Sequence, residues 1–146
     1  MYRCKQFSAP LYFVTERRLV SPLEPALYFT QAHAELVSLR NDLWNHSPTG
    51  AGWGYGGSGP AQLALGIAAH FLAGEGARFV FVPDSPEYEY ATGKLAAEHY
   101  AIETRQALKW RLIAPAPQRE PFELRLEALF DFSEDIAATD ARRAPR

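Results

Sequence analysis

The 146 residues include 15 Lys or Arg and 17 Asp or Glu, for a net charge of −2, and 47% of them are hydrophobic. That composition is long and apolar enough to bury a core without staples, and it excludes a disordered chain or bulk electrostatic attraction to nucleic acid or an anionic membrane. The single cysteine, Cys4, excludes an internal disulfide and a multi-thiolate zinc site, and no apolar run is long enough to span a bilayer, so a cytoplasmic location is the expectation.

The neighbours of Cys4 suggest a strand carrying a buried, inert thiol. Leu11 to Val14 and Ala26 to Phe29 are rich in β-branched and aromatic residues and predict two more strands, with Pro22 and Pro25 between them. Glu35 to Arg40 partly alternates and predicts another strand, and Leu43 to Asn45 a short extended piece. Ser47-Pro48-Thr49-Gly50 then has the residue order of a type I turn, because Pro presets φ at the second position and Gly relieves the exit.

Gly52, Gly54, Gly56 and Gly57 follow, interleaved with Trp53 and Tyr55. Such glycine density means that the backbone takes up positive φ or that another group approaches it closely. Pro60 suits the start of a helix and makes Gly59 the expected N-cap, with Ser58 just outside and Gln62 placed to reach back to the cap. From Pro60 to Leu72 only Gln62 and His70 are large and polar. With Gly66 they form one stripe at a spacing of four, and the rest of the cylinder is apolar, as in a helix buried on most sides. Ala73-Gly74 ends it.

Phe79 to Val82 reads as a strand and Pro83 to Tyr90 as an acidic loop. Thr92 can cap a second helix from Lys94 to about Trp110, with Ala97, Tyr100, Ala101, Ala107 and Leu108 facing inward and Glu98, Glu103, Arg105 and Lys109 facing solvent. Phe122 to Leu124 reads as extended, followed by a short helix to about Ala138. The sum is an α+β fold: a small, mostly antiparallel sheet packed around a buried central helix at about 60–72, with one or two further helices. Residues 1–140 read as one domain and 141–146, with Arg142, Arg143 and Arg146, as a flexible basic tail.

The stretch His46-Ser47-Pro48-Thr49-Gly50, then Trp53 to Leu65 (WGYGGSGPAQLAL), resembles a small domain family of bacteria, phages and mobile elements whose signature is HSPxGxxWGYGGSGPAQLALA. The chain departs from that pattern at Ala51-Gly52, where an aromatic and an acidic residue are common, at Gly66, where Ala is usual, and by an insertion around Arg78 to Thr92. The family has no assigned function, so the resemblance implies a site at this motif and brings no catalytic residue, cofactor or partner with it.

The motif has two physical readings. A glycine-rich turn entering a helix presents N–H groups and the positive end of the helix dipole, a place for a small anion such as phosphate or carboxylate. It is also a way to feed a helix into a core, and the Gly-Lys-Ser/Thr ending of a phosphate loop is missing. Trp53 and Tyr55 can stack on a ligand or partner, or they can close the core. The candidate binding residues are therefore Trp53, Tyr55, Gly56, Gly57, Ser58, Gly59 and Gln62.

No cofactor or metal is expected. His33, His70 and His99 lack ligand spacing, and Asp84, Glu87 and Glu89 lack a calcium-loop pattern. Two functions stay open. One is a non-enzymatic interaction module with a protein partner, tied to mobile-element, defence or counter-defence biology by the resemblance alone. The other is a small hydrolase or transferase on a phosphate-bearing substrate, with His46 as general base beside Ser47. Membrane and nucleic-acid partners are not expected, and the apolar fraction permits a homo-oligomer without requiring one.

Overall fold

Alternation decides which face of each strand is buried. In the computed structural model, which describes residues 1–20, 28–81 and 94–140, strand β1 (Tyr2–Cys4) buries Tyr2 and Cys4 and exposes Arg3. It lies between β2 (Leu11–Val20) and β4 (Phe122–Leu124), and β3 (Tyr28–Val37) pairs with the outer edge of β2, giving an antiparallel sheet in the order β3-β2-β1-β4. The registers Tyr2 opposite Phe13, Cys4 opposite Leu11 and Phe122, and Leu11 opposite Val37 place these apolar side chains on one buried face. Tyr12, Leu36 and Glu123 stand on the other face, toward solvent. The fold is the expected α+β class, with three α-helices among the described residues.

Helix α1 (Ser58–Ala73) is the centre of the molecule, buried without interruption from Gly59 to Ala69. Helix α2 (Lys94–Leu108) packs along it through Ala97, Tyr100, Ala101 and Leu108, and α3 (Leu126–Thr139) adds Leu129 and Phe132 to the same core. Helix α2 runs directly into a π-helical turn, Lys109–Ile113, closed by Ala114 N–H donating to Lys109 O at 2.8 Å.

The stripe of polar and small residues on α1 lies where the sheet and the chain leaving β3 pack on the helix. His70 Nδ1 lies 2.7 Å from Tyr2 Oη and its Nε2 lies 3.3 Å from Glu35. One turn earlier, a Cβ on Gly66 would stand 2.8 Å from Ser38 O and 2.9 Å from Leu39 Cα, so helix and crossing backbone touch directly. One further turn back, Gln62 Nε2 donates to Leu39 O at 2.6 Å.

Several expected boundaries shift. The strand expected over Glu35–Arg40 stops at Val37, because Arg40 takes a positive φ of 57° and opens a turn in which Leu43 N–H donates to Arg40 O. Leu43 is therefore part of that turn, and Trp44 and Asn45 belong to no regular element. Helix α1 begins at Ser58 with Gly57 as N-cap, two residues before the expected Gly59, and Pro60 is its third residue, where a missing N–H is still harmless. In place of the expected strand at Phe79–Val82, a 3₁₀ turn spans Ala77–Phe79, held by Phe79 packing against Phe71 and Phe130. Val82, the acidic loop Pro83–Tyr90, Thr92 and the tail 141–146 lie outside the described residues.

Candidate functional site

The turn Ser47–Gly50 closes as expected, with Gly50 N–H donating to Ser47 O at 3.3 Å. Ser47 is buried, and its Oγ lies 3.4 Å from Thr49 Oγ1, so the hydroxyl belongs to the turn. Its N–H and that of His46 both donate to Gln62 Oε1, at 3.1 and 2.7 Å. Gln62, fully buried, thus ties α1 to three backbone groups of the crossing segment, and does not reach back to its own helix cap.

Trp53 is only 1% exposed. Its Nε1–H is shared between Pro117 O and Glu120 O at 3.1 and 3.0 Å, and its ring meets Phe7 and Phe122. Of the two roles open to it, stacking on a ligand or closing the core, Trp53 takes the second. Gly54 needs glycine because it has a φ of +80° and its missing side chain makes room for Gln118 and Ala116. Its N–H donates to Ile113 O at 3.1 Å.

Tyr55 is 41% exposed and folds back along the start of α1. A Cβ on Gly57 would lie 2.4 Å from its ring, and one on Gly59 2.7 Å from its hydroxyl. Gly56 is covered in the same way by Trp110, whose ring edge would lie 2.2 Å from a Cβ there. The close approach that the glycine density implies is thus made by the protein's own Tyr55 and Trp110. Among the described residues, the N–H groups of Ser58 and Gly59 have no protein acceptor, as expected of a first helical turn.

A second cluster adjoins this turn. Arg105 Nε–H donates to His46 Nε2 at 2.9 Å, and Arg105 also donates to Ile102 O. The His46 ring stacks on Trp44 at 5.4 Å and 12°, and the Arg105 guanidinium carbon lies 4.3 Å from the centre of the Trp44 ring. Two groups joined by a 2.9 Å bond cannot lie on opposite sides of an indole, so both rest on one face of Trp44. One turn along, Lys109 is 7% exposed, with Nζ 4.3 Å from the centre of the Trp110 ring. The cluster therefore runs from Trp44 through His46, Arg105 and Lys109 to Trp110, and through Trp110 to Gly56.

The electrostatics are one-sided. Burial first, then the charges of Arg105 and Lys109, hold His46 below the ordinary histidine range, and burial also lowers Arg105. With Nε2 accepting from Arg105, neutral His46 carries its proton on Nδ1. Among the described residues no carboxylate pairs with Arg105 or Lys109. Arg40, the other half-buried arginine, pairs with both Asp42 and Glu98.

Arg105 and Lys109 were expected to face solvent, which is corrected here. The sequence did hold a signal for their position: Ala97, Ala101, Arg105 and Lys109 are spaced by four, and the first two are inward residues. Trp44 and Trp110 were not singled out as site residues. Asn45 Oδ1 accepts from Asn41 Nδ2 at 2.8 Å, and Asp42 is engaged by Arg40.

On the β3 side of α1 there is a groove of about 670 Å³ lined by Phe13, Glu35, Val37, Gly66, His70 and Glu75. Burial pushes the Tyr2 hydroxyl up, so it stays protonated and shares a hydrogen bond with His70 Nδ1, while His70 Nε2 faces Glu35. His70 is fully engaged there. Among the described residues no group of three or more His, Cys, Asp or Glu could hold a metal ion, and no helix is long and apolar enough to cross a membrane.

No curated protein and no solved structure matches the chain. Residues 25–79, which include β3, the glycine-rich turn, α1 and the 3₁₀ turn, match the model of a family described as Family of unknown function (DUF6166), and over that stretch the chain is similar to an uncharacterised domain family.

Proposed function

We propose that the protein is a non-enzymatic interaction module that engages a protein partner through the face running from Tyr55 across Trp110 to Trp44. The observation that carries this reading is the exposure of three large aromatics, at 41%, 58% and 50%, on one connected face with Arg105 among them. Trp, Tyr and Arg are the residues that dominate binding energy at protein interfaces. The glycines support the reading as well, since they seat Tyr55 and Trp110 on the backbone and limit the rotamer freedom that binding would cost. A place in mobile-element, defence or counter-defence biology rests on the motif resemblance.

The hydrolase or transferase reading, with His46 as general base, gains less from this geometry. The Nε2 lone pair that would take a proton already accepts from Arg105, and Ser47 Oγ is buried beside Thr49. Both support binding over proton transfer.

The test is affinity capture from the native host with the wild-type chain and with Tyr55→Ala, Trp44→Ala and Trp110→Ala, each first checked for an unchanged melting temperature. Loss of one and the same captured protein in all three is expected. Capture that survives all three substitutions would end the reading.

A further inference from the structure

Two positive charges sit on this face with no negative charge assigned to them. Lys109 is nine-tenths buried and, among the described residues, its ammonium contacts only an indole ring. Arg105 has its Nε and one Nη engaged, which leaves the N–H donors of the second Nη without an acceptor among the described residues. Burying a cation without a counter-charge is costly, and a chain with more acidic than basic residues has carboxylates to spare for the purpose. It uses them on Arg3, Arg40, Arg78 and Arg111, all of which form ion pairs.

We propose that Arg105 and Lys109, beside the His46 ring, form a phosphate-binding site, and that the protein partner carries a phosphorylated side chain that docks there. This rests on reading the face as a protein-binding surface, and it adds the chemistry that the partner must present. The charge count selects phosphate over carboxylate: two uncompensated cations match a phosphate monoester, which carries close to two negative charges at neutral pH, better than a carboxylate with one. The donor set fits too. The second Nη of the guanidinium supplies N–H donors for phosphate oxygens, and Lys109 supplies a point charge. Trp44 fixes the plane of both Arg105 and His46, so little ordering remains to be done on binding. The open setting, with Trp44 and Trp110 both at least half exposed, suits a phosphate presented by a protein surface over a small nucleotide enclosed in a cavity.

The experiment titrates the full chain with three probes and follows the His46 ring by NMR. The probes are a capped alanyl-phosphoseryl-alanine peptide, its unphosphorylated form, and adenosine monophosphate. The phosphorylated peptide is expected to shift the His46 resonances saturably and to raise the pH at which His46 titrates, because a bound anion favours the imidazolium. The unphosphorylated peptide should do neither, and inorganic phosphate should compete. Arg105→Gln and Lys109→Met should each weaken the phosphopeptide at least about tenfold, with melting temperatures showing whether each variant is folded. The wild-type titration stands on its own if a variant is not.

No response of His46 to phosphopeptide or phosphate overturns the proposal, as does unchanged affinity in both folded variants. Adenosine monophosphate binding with the phosphopeptide inert also overturns it, in favour of a nucleotide ligand. The interaction-module reading fails separately. Partner capture that needs Trp44 and Trp110 but persists after phosphatase treatment and in Arg105→Gln sinks only the phosphate site. Capture indifferent to both tryptophans sinks the module.

Discussion

Arg105 Nε–H donates to His46 Nε2 across 2.9 Å, a bond that a protonated imidazole cannot accept. His46 is held below the ordinary value of 6.5, chiefly by burial and then by Arg105 and Lys109. A folded-state value below the unfolded one means that, between the two, the unfolded chain binds more protons, so stability rises with pH there. The contribution of neutral His46 is fully present above pH 6.5 and is lost as pH falls through its lower folded value. The melting temperature of the wild type should therefore drop more between pH 7 and about pH 5 than that of His46→Gln, which keeps an acceptor for Arg105 and does not titrate. Parallel curves for the two proteins would contradict this account.

Gln62→Leu should be among the most damaging single changes in α1. It removes the acceptor of two backbone N–H groups and the donor to Leu39 O, and each buried group left without a partner costs about 1–3 kcal/mol. A loss above about 2 kcal/mol in denaturant unfolding is expected. Amide exchange at His46 and Ser47 should accelerate even under native conditions.

Gly66→Ala sets two forces against each other. Intrinsic helix propensity favours alanine by about 1 kcal/mol. The added methyl would stand 2.8 Å from Ser38 O and 2.9 Å from Leu39 Cα, which are backbone atoms with no rotamer to yield. Overpacking against a fixed neighbour costs about 1–3 kcal/mol, so a net loss is expected. A raised melting temperature would mean that the crossing segment moves away from α1 at no cost.

Trp53 and Tyr55, two residues apart, should behave oppositely. Trp53→Ala empties a core position and removes the donor shared by Pro117 O and Glu120 O, so a loss of about 3–5 kcal/mol is expected. Tyr55→Ala, at a position 41% exposed, should cost within about 1 kcal/mol while weakening partner capture. Equal losses would mean that Tyr55 is as structural as Trp53.

The sequence showed the buried helix and its stripe plainly, because helical periodicity is local: Gln62, Gly66 and His70 stand four apart on an otherwise apolar cylinder. What crosses that stripe was not readable, since Leu39, Ser38 and Glu35 arrive from 23 or more residues away. Burial of Trp53 was undecided for the same reason: its acceptors lie 64 and 67 positions along the chain. For Arg105 and Lys109 charge and position point in opposite directions, and position prevails. The spacing from Ala97 and Ala101 put them on the inward stripe, and the unpaired cations there are the feature on which the candidate site rests. Phe79 was misread because β-branched and aromatic composition was allowed to stand for a strand where three phenylalanines instead form a cluster.

The wide turn at Lys109–Ile113 has a consequence for chain length. A π-turn holds one residue more than the α-turn it replaces, which rotates everything downstream by about 100° relative to an unbroken helix. Lys109, at the start of the turn, continues the inward row of α2, and the extra residue after it sets where Ile113 aims its carbonyl at Gly54. Removing one residue there would put the two ends in phase with each other and out of phase with their neighbours. Either the ammonium would leave the indole, or the carbonyl would leave the glycine turn. The candidate surface and the backbone at Gly54 are geared together through this one turn, and neither can be re-indexed without the other.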